Sequence, residues 1–179
     1  MGGIRWNVSA GAILVFALLY FFDDAGLFAA LAPAVMVHEL GHVAALRSFR
    51  ARLRRVSVGV FGIEMDYGGI LGNAQTALSV AAGPAAGALY TLIACSVGGD
   101  FWRLSGAVSF CLTVFNLLPV LPLDGGRLVA ALTGRERAER LSRIMAPFLL
   151  LCGAALLTAF HAPALLAAGA WLCLFQFRD

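Results

Sequence analysis

The chain has 179 residues, 61% of them hydrophobic and only 13% charged, with a mean hydropathy of +0.88. That composition excludes an ordinary soluble domain and implies an integral membrane protein. The net charge of +3 does not point to nucleic acid: every basic residue is arginine, and most lie in two short segments, as membrane-orientation signals do.

In chain order, Met1 to Asn7 is too short and too weakly basic for a transit peptide. Val8 to Phe22 is an apolar run followed by Asp23-Asp24, without a small-residue cleavage site, so it reads as a first membrane helix and not a signal peptide. A second helix, from about Leu27 to Leu46, carries His38-Glu39-Leu40-Gly41-His42 near its C-terminal end. A basic segment from Arg47 to Arg55 follows. Val56, Val58 and Val60, then Ile63, Met65 and Tyr67, recur at every second position, which predicts short β structure, a hairpin or a bent strand.

A third helix is expected from about Gln75 to Val97, and its run of small residues around Gly83, Pro84 and Gly87 suits close helix packing in a membrane. A fourth runs from about Leu104 toward Leu123. It meets Asn116-Leu117-Leu118-Pro119-Val120-Leu121-Pro122-Leu123-Asp124-Gly125, where two prolines force looped or extended backbone. At membrane depth such backbone is tolerated where protein or a wet cavity buries it, as an active-site loop would be. Thr133 to Arg143 reads as a basic loop or surface helix. Ile144 to Phe160 and Pro163 to Phe177 are the fifth and sixth apolar runs. The expected fold is one all-α polytopic membrane domain over residues 1–179, with about six transmembrane helices and a short membrane-associated β segment between the second and third. No segment is expected to form a PDZ or nucleotide-sensing domain. Cys95, Cys111, Cys152 and Cys173 stand singly in apolar runs and read as buried, reduced helix residues.

The chemistry centres on the HExxH motif. Histidines four apart on a helix project from one face and can share a metal ion, and Glu39 beside the first is placed to act as general acid and base. Zinc catalysis generally uses three protein ligands and an open position. The best third ligand is Asp124, with Glu64 and Asp66 as fallbacks. By the positive-inside rule both arginine-rich segments and both termini are cytoplasmic. His38 then lies roughly 13 Å from Arg47 along the helix, and Asp124 falls on the same leaflet. A satisfied histidine packing pair, a divalent-metal transporter and an inactive membrane scaffold are the competing readings. A transporter would need polar ligands continuing between Val8 and Met36, and apart from the loop aspartates there are none.

His38-Glu39-Leu40-Gly41-His42 together with the Asn116–Gly125 segment resembles the site-2 protease family of intramembrane zinc metalloproteases, most closely the compact six-helix group that includes the sporulation protease processing a sigma-factor precursor. The resemblance implies one zinc ion held by His38, His42 and Asp124, with Glu39 as catalytic acid/base. It implies as well that Asn116 lies near the substrate, and that Pro119 and Pro122 of the proline loop and Val58, Val60, Phe61 and Gly62 of the β segment guide the substrate strand. The implied partner is a membrane-spanning protein, such as a tethered transcription factor, sigma factor or anti-sigma factor. One departure is visible: where family members often carry Gly-Pro-x-x-Asn, this chain has Gly83-Pro84-Ala85-Ala86-Gly87, so no polar contact carries over there.

Overall fold

The computed structural model describes residues 5–21, 23, 26–59, 62–68, 71–160 and 164–176. In chain order these form β1 (Arg5–Val8), α1 (Ala10–Phe21), α2 (Leu27–Ser48), β2 (Arg52–Gly59), β3 (Gly62–Gly68), α3 (Asn73–Val97), α4 (Asp100–Asn116), α5 (Asp124–Thr133), α6 (Arg135–Phe160) and α7 (Ala164–Gln176).

The helices are patterned inside out. The buried positions of α2 are Ala30, Ala34, His38, His42 and Leu46, one per turn. Those of α4 are Ser105, Gly106, Ser109 and Thr113. Large apolar side chains such as Met36, Leu40, Leu78, Leu92, Ile93 and Phe110 face outward. Small and polar residues inside, with leucine and phenylalanine outside, is the arrangement that lipid stabilises and water penalises. Among the described residues α2 and α3 are long and apolar enough to cross a membrane.

Close approach at the α2–α3 crossing depends on glycine. A Cβ on Gly41 would stand 2.5 Å from the Ala82 carbonyl oxygen and 2.7 Å from the Ala86 Cβ, so no larger residue fits without moving a backbone. Ser105 Oγ bridges α4 to α2 by donating to the Ala30 carbonyl at 2.8 Å, and it accepts from Tyr90 Oη on α3, also at 2.8 Å.

The alternating segment does form strands, with one difference in topology. The sheet order is β1-β2-β3, β1 parallel and β3 antiparallel to the central β2. Val58 pairs with both Val8 and Ile63, so β2 is paired on both sides, and among the described residues the open edges are those of β1 and β3. Val60 and Phe61 lie outside the described residues.

Three boundaries also differ. α4 ends at Asn116 and not near Leu123, because Pro119 and Pro122 cannot donate the bonds that would continue it. Asp124 is the first residue of a separate short helix and not a loop residue. Residues 135–143 are the opening turns of the long α6, carrying i,i+4 ion pairs such as Arg135–Glu139 at 2.8 Å, so the described chain has seven helices. The cysteines depart from the expected burial: all four are free, but Cys95 and Cys111 are exposed, since the inward positions of α4 are taken by Ser105, Gly106, Ser109 and Thr113.

α6 and α7 form a hairpin behind the proline loop. Val120 and Leu123 pack with Ala146, Leu149 and Leu172 in the main apolar cluster. The Leu121 N–H donates to Ser142 Oγ at 2.9 Å, and the Leu121 carbonyl accepts from Gln176 Nε2. Both backbone polar groups of one loop residue are thus held by side chains of two different helices.

Candidate metal centre

Three residues from two distant stretches meet at one point. On α2 the one-turn spacing sets His38 and His42 on the face that meets α3, their ring centroids 4.9 Å apart and nearly perpendicular. Asp124 arrives from the opposite side at the first turn of α5, where the helix dipole favours its negative charge. That helix can begin there because Gly125 and Gly126 lie against the backbone of residues 117–121, where any Cβ would collide.

Asp124 Oδ2 lies 3.0 Å from His38 Nε2 and 3.1 Å from His42 Nε2, and the two Nε2 atoms are 3.3 Å apart. All three residues are buried, at 3%, 8% and 6% exposure for His38, His42 and Asp124, so bulk water does not hydrate these atoms. Tetrahedral zinc with bonds of about 2.0–2.2 Å places its ligand atoms roughly 3.3–3.5 Å apart, and the observed triangle is only slightly tighter.

Protons make the same point. His42 Nδ1–H donates to the Ser79 carbonyl at 2.9 Å, which holds a proton on Nδ1 and turns Nε2 toward the other two groups. In the neutral ring the Nε2 lone pair then faces a carboxylate oxygen and a second imidazole nitrogen. A cation between them resolves the repulsion, and a bond from the far nitrogen to a carbonyl is how a metal-ligating histidine is held in its tautomer.

The remaining side chains complete the setting. Glu39 is half-buried, within electrostatic range of His38, His42, Asp124 and Arg127. Arg127 Nη1 is 3.7 Å from Asp124 Oδ1, the oxygen not shared with the histidines. Gly83 lies flat against the His42 imidazole, which occupies the space its Cβ would need.

His38, Glu39, His42 and Asp124 are therefore brought together, while the fallback Asp66 stands exposed on β3. Asn116 turns its Nδ2 back to the Leu112 carbonyl at 3.0 Å, a bond within its own helix. Pro119 and Pro122 shape the loop before Asp124. Ser79 and Arg127 are site neighbours that the motifs did not mark. Ser79 acts through its backbone, which no side-chain pattern reveals. The Asp124–Arg127 spacing of one helical turn was the available sign for the arginine.

The structure superposes on the site-2 protease from Methanocaldococcus jannaschii with a TM-score of 0.72, covering 98% of this chain and 90% of that one at 19% identity. The fold is that of a site-2 protease. The model of peptidase family M50 matches residues 91–160, the stretch that includes the proline loop and Asp124. Rip3 of Mycobacterium tuberculosis strains Erdman and H37Rv, whose name marks it as a candidate zinc metalloprotease, is 31% identical in an alignment that takes in 87% of this chain and 44% of Rip3. The chain thus spans less than half the length of the curated relatives it matches.

Proposed function

We propose that this chain is an intramembrane zinc metalloprotease that hydrolyses a peptide bond within or near a transmembrane segment of a membrane-tethered protein. The observation that carries the reading is the triangle of His38 Nε2, His42 Nε2 and Asp124 Oδ2, with edges of 3.0–3.3 Å beside Glu39. His38, His42 and Asp124 would hold the ion. Zinc bound there supplies the Lewis acidity that polarises a peptide carbonyl and lets water lose a proton near neutral pH. Glu39 takes that proton and passes it to the leaving amine, and Arg127 engages the Asp124 oxygen that the ion does not need.

A substrate helix has its carbonyls bonded internally and must unwind before it is cut. The outer edge of β3 can receive the unwound segment by strand addition, replacing the lost backbone bonds. In this reading Gly62, Pro119, Pro122 and Asn116 border the strand's path, while Val58, on the central strand, offers its side chain only. We further propose six membrane crossings with both ends of the chain on the cytoplasmic side. Supporting this, Arg5–Val8 pairs with the strand that follows α2, and Gln176 reaches the Leu121 carbonyl beside the site. Tethered transcription factors, sigma factors and anti-sigma factors are the substrate class that fits a cytoplasmic-side cut.

The test is reconstitution of wild type and Glu39→Gln in liposomes, following cleavage of a panel of single-span substrates and uptake of zinc together. Cleavage by wild type and none by the variant is expected. Zinc flux without cleavage by either form would replace the protease with a transporter.

A further inference from the structure

His42 has a partner for its far nitrogen and His38 does not. Among the described residues, three buried side-chain atoms lack a hydrogen-bond partner: His38 Nδ1, Ser79 Oγ and Thr113 Oγ1. Two of them lie beside Gly87. A Cβ on Gly87 would lie 2.5 Å from Thr113 Oγ1, 3.6 Å from His38 Nδ1 and 3.7 Å from Ser109 Oγ. Thr113 is 6% exposed, His38 3% and Ser109 0%, so neither unpartnered atom is exposed to bulk water.

We propose that Thr113 is a positioning residue for His38, its hydroxyl anchoring one water, lodged against Gly87, that takes up the imidazole's Nδ1–H. The inference rests on the metal-centre reading above. If His38 gives its Nε2 lone pair to a metal, its proton sits on Nδ1 and needs an acceptor, and the Thr113 and Ser109 hydroxyls lie on the same side of Gly87. Thr113 Oγ1 and His38 Nδ1 are 2.5 and 3.6 Å from one point, so they stand no more than about 6 Å apart, a span that one water bridges. It accepts from His38 Nδ1–H and Thr113 Oγ1–H and donates to Ser109 Oγ. Ser109 can accept because its own proton goes to the Gly87 carbonyl at 3.0 Å. Three bonds is the usual complement of a buried water. Thr113 can approach because residue 87 has no side chain: a Cβ there would collide with Thr113 Oγ1 at 2.5 Å and push the hydroxyl away.

Outer partners of this kind alter metal affinity by about 10–100-fold when removed. The experiment uses the full chain purified in detergent, with zinc affinity measured by competition against a chromophoric chelator and the visible spectrum of the Co²⁺-loaded form as a second readout. Thr113→Val should weaken zinc binding by about 10–100-fold and shift the cobalt bands, while the melting midpoint of the metal-free chain stays put. Thr113→Ser, which keeps the hydroxyl, should restore affinity. Gly87→Ala should match Thr113→Val; if that variant fails to fold, the Val/Ser pair decides alone. Equal zinc affinity in wild type and Thr113→Val overturns the proposal, as does equal weakening by Val and Ser. A wild-type chain that binds no zinc would overturn the metal-centre reading and this inference together, whereas normal wild-type binding with an unaffected Thr113→Val removes this inference alone.

Discussion

At the scale of single residues, Glu39 is assigned to proton transfer and the flanking histidines to ligation, so their substitutions should part company. Glu39→Gln keeps size and shape but cannot accept a proton. Turnover should fall by about 10²–10⁴-fold while zinc content measured by atomic absorption stays near one per chain. The double variant His38→Ala/His42→Ala should instead lose the metal, and full zinc occupancy in it would sink the ligand assignment. Gly83 supplies a sharper steric test. Its missing side chain is what the His42 ring occupies, so Gly83→Ala should displace the ring and lower zinc content with helicity by circular dichroism intact. Normal zinc content in Gly83→Ala would mean the α2–α3 contact is looser than described.

At the scale of elements, the loop between α4 and α5 sets where Asp124 stands, and α6 and α7 hold that loop from behind. Ser142 is fully buried and accepts the Leu121 N–H while its own proton goes to the Ala138 carbonyl. Ser142→Ala strands that N–H, a loss of about 1–3 kcal/mol when no other partner is found. A lowered melting midpoint in detergent, together with weaker zinc binding, is expected. Destabilisation without any change in zinc affinity would show that the loop's position does not depend on this bond.

At the scale of the whole molecule, ligands drawn from α2 and α5 would make the metal a cross-link between elements far apart in sequence. Zinc at 100 times its dissociation constant should stabilise the folded chain by about 2.7 kcal/mol, and chelation should reverse it. A melting midpoint indifferent to zinc would contradict a site shared between those helices. Single cysteines introduced at 47–55 and 135–143, in a background with the four native cysteines replaced, should label from the cytoplasmic side only. Labelling of either from outside would undo the proposed crossing pattern.

Composition alone determined the solvent, because 61% hydrophobic residues cannot be hidden inside 179. Periodicity determined the ligand pair, since four-residue spacing on any helix puts His38 beside His42, and the prolines at 119 and 122 determined that helical backbone stops before Asp124. These are local consequences of chain geometry, legible without a fold. Tertiary structure decided what depends on partners distant in sequence. Asp124 rather than Asp66 completes the triangle because α5 packs across α3 toward α2, and β2 loses its open edge because β1 returns from the far side of two helices. Ser79 enters the site through a carbonyl, and Gly87 matters because a Cβ there would strike Thr113 Oγ1. A backbone group and a missing side chain leave no mark in a pattern of side chains, so only the packed chain could reveal them.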